Sequence, residues 1–172
     1  MLHILVLAQA TLGLHDSALN VTEVAWVPEA NGVYIGGPSL SVLPWDPAQI
    51  IVSSNVFGPN VDFVHKTQNA SIHHSTDHGA SFAAAGVAYN HCDGTLFTFG
   101  RAVYILGPQC NGNFMQLSRS VDGLSWPLAD QRHIYAAAPG MSWQNAPTPV
   151  SMGAGRIWRA VEQTGPTGSA WG

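Results

Sequence analysis

The chain has 172 residues, a net charge of −4 and only 9 % charged residues, against roughly 25 % in an average soluble domain. It holds no patch of Lys and Arg with interleaved aromatics, which argues against a nucleic-acid partner. It also lacks an apolar run of the roughly 20 residues that a transmembrane helix needs. With 18 Gly and 11 Pro, it suits many short strands joined by tight turns better than long charged helices.

Residues 1–20 begin Met1-Leu-His-Ile-Leu-Val-Leu-Ala, which reads in two ways. One is the apolar core of a signal peptide, with small residues near Ala18 for cleavage. The other is an N-terminal extension holding an ordinary first strand, since no Lys or Arg precedes the apolar stretch. The sequons Asn20-Val-Thr22 and Asn69-Ala-Ser71 fit the first reading, and with it a secreted or extracellular protein.

Residues 21–172 form the expected domain. Short apolar runs bounded by Gly, Pro, Asn and Asp predict strands over 38–43, 49–54, 70–75 and 81–89. After a loop at His91-Cys-Asp-Gly94 the series restarts, over 95–99, 102–106, 114–120 and an extension of 124–126. A third series opens with 148–152 and 156–161. Four short strands, a loop and four more make a repeat.

The repeat is anchored by Ser75-Thr-Asp77-His-Gly79-Ala-Ser-Phe82 and by Ser120-Val-Asp122-Gly123-Leu-Ser-Trp126, which is one residue shorter between Asp and Gly. The interval from Asp77 to Asp122 falls in the roughly 40–50 residues of a four-stranded propeller blade. In such a turn the Asp carboxylate accepts backbone N–H groups ahead of it, the Gly takes positive φ, and the aromatic packs below. That physics supports a structural role for these residues.

On the two boxes, the segment Tyr34-Ile-Gly-Gly-Pro38-Ser-Leu40 and the segment Gly155-Arg156-Ile-Trp-Arg159-Ala-Val-Glu162, the chain resembles the Asp-box (BNR-repeat) proteins of the sialidase superfamily. The resemblance implies an all-β fold, a sialidase-like six-bladed β-propeller, of which about two and a half blades of four-stranded antiparallel sheet are visible. It places each Asp box at the outer turn between a blade's third and fourth strands, remote from the active site. It implies a carbohydrate or glycoconjugate partner, and no cofactor or metal is expected. Two hypotheses follow: a glycoside hydrolase, or a non-catalytic glycan-binding or scaffold propeller. A truncated, inactive gene product is the third.

Family chemistry uses a Tyr nucleophile, a Glu that draws off its proton, an Asp acid/base and three arginines that clamp the substrate carboxylate. Glu162 and Asp62 are the candidates for the catalytic carboxylates. Asn55, His91, Asp93, Trp143, Asn145 and Arg159 are the candidate substrate contacts, with Trp143 offering a face on which a sugar ring would stack. Arg159 and Glu162 lie three apart, so on one strand they point to opposite faces unless it bulges. Gly36-Gly37-Pro38 stands where the family has Arg-Ile-Pro, so the first clamp Arg is missing and ordinary sialidase activity is not expected. His73, His74 and His78 cluster around the first box, as exposed strand and turn residues.

The two cysteines, Cys92 and Cys110, are equidistant from Arg101 in the expected turn between strands 95–99 and 102–106. In an antiparallel pair, residues equidistant from the turn face each other. A disulfide between them is therefore expected in an oxidising compartment, and unrelated thiols if the loops break the register.

Overall fold

The computed structural model describes residues 4–8, 20–25, 34–58, 69–144 and 146–165. Strands β1 (Ile4–Ala8) and β2 (Asn20–Ala25) pair antiparallel. Strands β3 (Tyr34–Leu43), β4 (Asp46–Phe57), β5 (Ala70–Ser75) and β6 (Ala83–Ala88) follow as one four-stranded antiparallel sheet in chain order. A second sheet of the same order holds β7 (Thr95–Phe99), β8 (Ala102–Pro108), β9 (Phe114–Ser120) and β10 (Gln131–Ala136). The remaining strands are β11 (Ser142–Gln144), β12 (Ser151–Gly153), β13 (Arg156–Trp158) and β14 (Glu162–Thr164), with β11 paired to β14 and β12 to β13. Among the described residues there is no α-helix, only the 3-10 turn Leu128–Asp130. No helix among them is long and apolar enough to cross a membrane.

Three of the expected strands differ in place or extent. The fourth strand of the second sheet is Gln131–Ala136, not an extension of 124–126. Leu124 and Ser125 give their N–H groups to the Asp122 carboxylate, and Trp126 is buried in the core. Pro127 has no N–H to donate, so no ladder starts until the 3-10 turn has passed. The strand expected over 148–152 is only Ser151–Gly153, and the one expected over 156–161 stops at Trp158 before β14 starts at Glu162.

The sheets stack because β4 buries both of its faces. Ile51 points into a core shared with Leu43, Ile72 and Ala88 of its own sheet and Leu96, Val103 and Ile105 of the second. Val52, next along the strand, points the other way into a cluster with Ile35 and Val24 of β2. The first strands of the two sheets, β3 and β7, touch, and Leu96 N–H donates to Ser39 Oγ at 2.9 Å.

Each Asp box closes the turn between the third and fourth strands of its sheet. In the first, Ser75 Oγ donates to Asp77 Oδ1 at 2.7 Å and accepts Gly79 N–H at 2.9 Å, while Asp77 Oδ1 accepts Ser81 N–H at 2.9 Å. In the second, Ser120 Oγ donates to Asp122 Oδ1 at 2.9 Å and accepts Gly123 N–H at 2.8 Å. The extra residue of the first box, His78, takes φ 59° and Gly79 takes φ 85°; in the second, Gly123 alone turns the corner at φ 78°. Phe82 packs on the Val52 cluster, and Trp126 enters the shared core.

Candidate functional site

Successive strands run up and down, so the Asp boxes and the turns at Pro44-Trp45 and Gly100-Arg101 lie at one end of the sheets. The segments 89–94 and 109–113 lie at the other. That second end carries an open cleft of about 570 Å³, lined by Gly37, Pro38, Asp93, Gln144, Ala146, Pro147 and Glu162. Gly37 and Pro38 come from the start of β3, Gln144 and Glu162 from the paired strands β11 and β14. Asp93 comes from the loop between β6 and β7.

Asp93 has an unusual backbone, with φ 50° in the left-handed region that residues with a Cβ seldom adopt. Its N–H donates to Asn55 Oδ1 at 3.0 Å, and Asn55 Nδ2 donates in turn to the His91 carbonyl at 2.8 Å. The carboxylate lies directly over Gly37, itself at φ 59°, where a Cβ would collide with Asp93 Oδ1. Burial pushes the Asp93 pKa up to about 6, against the pull of the Arg159 charge. Burial likewise lowers Arg159 to about 10, with Asp93 opposing. The two charges attract, but burial costs each of them more than the attraction returns.

Arg159 reaches the Leu106 carbonyl on β8 through Nη1, and its Nε and Nη2 are buried without a hydrogen-bond partner among the described residues. The opposite-face argument for Arg159 and Glu162 does not apply. The chain leaves strand geometry between Trp158 and Glu162, so Arg159 comes beside Asp93 while Glu162 lines the same cleft.

The other expected contacts are placed differently. His91 is fully buried, with Nε2 2.8 Å from Ser118 Oγ, and burial holds its pKa down at about 3. It supports the loop from below and cannot touch a ligand. Asn55 is also buried and acts on the backbone of that loop. Trp143 is half-buried outside the cleft lining, its Nε1 donating to the Tyr135 carbonyl at 3.2 Å and its ring tilted against Tyr135. Alternation along β11 explains this, because Gln144 takes the cleft side and Trp143 the opposite one. Asp62 and Asn145 lie outside the described residues.

Gly36 leaves room only for the Phe57 ring, which an added Cβ would meet at 3.0 Å. That ring stacks on Tyr34 with centroids 5.4 Å apart. Of the histidines near the first box, His74 bonds Gln49 and burial lowers the pKa of His73. No group of three metal-ligating side chains occurs among the described residues.

Cys92 and Cys110 form a disulfide with Cα atoms 4.9 Å apart, joining the 89–94 loop to the segment after β8. The ladder is centred between Gly100 and Arg101, with Phe99 opposite Ala102, so the symmetry about Arg101 is one residue off. Past the ladder the register slips by one residue the other way, so Cys92 N–H donates to the Pro108 carbonyl at 3.0 Å and the bond reaches two residues further on, to Cys110.

Sequence reasoning named Asp93 and Glu162 but missed the floor of the cleft, Gly37 and Pro38. The doubled glycine before Pro38 was the available signal. In comparisons with known proteins, the chain matches no family model, no curated protein and no solved structure.

Proposed function

We propose that the two four-stranded sheets are successive blades of a sialidase-like Asp-box β-propeller, and that the cleft binds glycans for hydrolysis. The doubled box, set in the same turn of each sheet, supports the blade reading. The cleft reading rests on one observation: Asp93, raised to about 6, shares an open cleft with a second carboxylate, Glu162. A carboxyl group poised near 6 still carries its proton in mildly acidic solution, and it is suited to protonate a departing glycosidic oxygen. Glu162 then acts as the partner carboxylate, as base or nucleophile. The disulfide supports an oxidising, extracellular setting.

Because Gly36 has no side chain to clamp a carboxylate, neutral sugars are the expected substrates rather than sialosides. The test is a panel of aryl glycosides assayed from pH 4 to 8. Turnover of a neutral glycoside, falling at least about a hundredfold in Asp93→Asn and in Glu162→Gln, is the expected result. Efficient cleavage of a sialoside, or turnover untouched by both substitutions, would refute it.

A non-catalytic glycan-binding blade pair is the second reading. It is favoured by one observation, that none of the described lining residues is a tyrosine. Glycan-array binding lost in Asp93→Asn, without turnover of any glycoside, would select it.

A further inference from the structure

The loop over residues 90–94 is held in a shape it would not keep unaided. Asn90 and Asp93 both sit in the left-handed region, at φ 53° and 50°, which Asn and Asp tolerate better than other residues with a Cβ but still at some cost. Hydrogen bonds hold it there: Asn55 to the His91 carbonyl and from Asp93 N–H, Asn69 Oδ1 from Asn90 N–H, and the Pro108 carbonyl from Cys92 N–H. Each of these can exchange with water whenever the loop opens. The Cys92–Cys110 bond cannot, and it attaches the residue next to Asp93. Cys92 is buried and Cys110 is partly exposed, so a reductant would approach from the Cys110 side.

We propose that this disulfide is a redox latch on the cleft: a dithiol reductant frees the 90–94 loop and lets Asp93 leave its seat on Gly37. The latch follows from the loop geometry alone, while its effect on ligands rests on the glycan reading above. A thiolate of the dithiol attacks Cys110 Sγ, and the bond to Cys92 breaks. Cys92 departs as a thiolate and takes up a proton. The second thiol of the reductant then attacks the mixed disulfide, releasing Cys110, which is protonated in turn. Two electrons pass to the protein, and the reductant ends as a disulfide. The titratable groups around Asp93 are Arg159 after β13, Glu162 on β14 and His91 of its own loop. Reduction changes the charge of none of them.

The test is amide hydrogen exchange, read by NMR on the whole chain before and after treatment with dithiothreitol. The amides of Cys92 and Asp93 are expected to exchange at least about tenfold faster after reduction, with the amides of the central strand β8 unchanged. A Cys92→Ala/Cys110→Ala double variant should match the reduced protein without any reductant. Three results would overturn the latch. They are a bond that resists dithiothreitol in the folded chain, unchanged exchange at Asp93 with both thiols free, and acceleration of β8 equal to that of the loop. A second arm measures glycan affinity in both redox states. If the loop loosens but affinity stays the same, the latch stands and the glycan reading of Asp93 fails.

Discussion

Asp93 and His91 are neighbours in one loop, and their titrations pull stability in opposite directions. An Asp raised to about 6 in the fold binds a proton that the unfolded chain releases near pH 4. Stability therefore falls as pH rises between about 4 and 6, and the full penalty persists above that. A His lowered to about 3 contributes stability that is complete above about 6.5 and lost as pH falls toward 3. Removing the carboxylate should expose the histidine trend. Asp93→Asn is expected to be more stable than the parent at pH 7 by about 1–2 kcal/mol, after allowing for solvent screening of a partly exposed group. Below pH 4 the two proteins should match, and urea titrations at pH 7 and 3.5 check both values. The same substitution is expected to abolish turnover, so stability and activity would move apart at one position. The sequence marked Asp93 as a loop carboxylate, but its perturbed titration was not legible there. Burial by Gly37 and Arg159 brings together residues from β3, the 89–94 loop and the end of β13, and no local pattern records that.

The two Asp boxes are chemically alike at the level of the element. Their Ser, Asp and Gly positions and their spacing could be read directly, because a turn that satisfies its own backbone writes its requirements into a few adjacent residues. Ser120 is buried and serves both as acceptor for Gly123 N–H and donor to Asp122. Ser120→Ala leaves that N–H unpaired and is expected to cost about 1–3 kcal/mol, read as a lower urea midpoint. In the first box, the hydroxyls of Ser81 and Ser75 lower the Asp77 pKa to about 2. Its contribution is present above about pH 4 and lost as pH falls through 2. Asp77→Asn should therefore narrow the gap between midpoints at pH 5 and pH 2, which acid titration by circular dichroism would show. The start of β10 was not legible, since apolar Leu124 and Trp126 look like strand residues. The box claims the Leu124 N–H and the core takes both side chains, and Pro127 delays the ladder.

Over the whole molecule, packing between the sheets depends on small residues as much as on large ones. Gly86 on β6 lies against the Leu124 carbonyl of the second box, which an added Cβ would meet at 2.7 Å. Gly86→Val is therefore expected to push the sheets apart and lower the thermal midpoint by several degrees, as overpacking of about 1–3 kcal/mol implies. Removing the disulfide should cost about 3 kcal/mol on the loop-entropy account, measured as the urea midpoint of the double alanine variant. The pairing of the two cysteines was legible from their near-symmetry about the hairpin turn. The register was not, because Cys92 meets the Pro108 carbonyl across the ladder and the bond reaches past it to Cys110.

The covalent tie also spans an exposed basic turn. Arg101 sits at the tip of the β7–β8 hairpin, midway between the bonded cysteines. A trypsin cut after Arg101 therefore releases nothing. The two polypeptides remain one species, running as a single band on a non-reducing gel and separating into two when thiol is added.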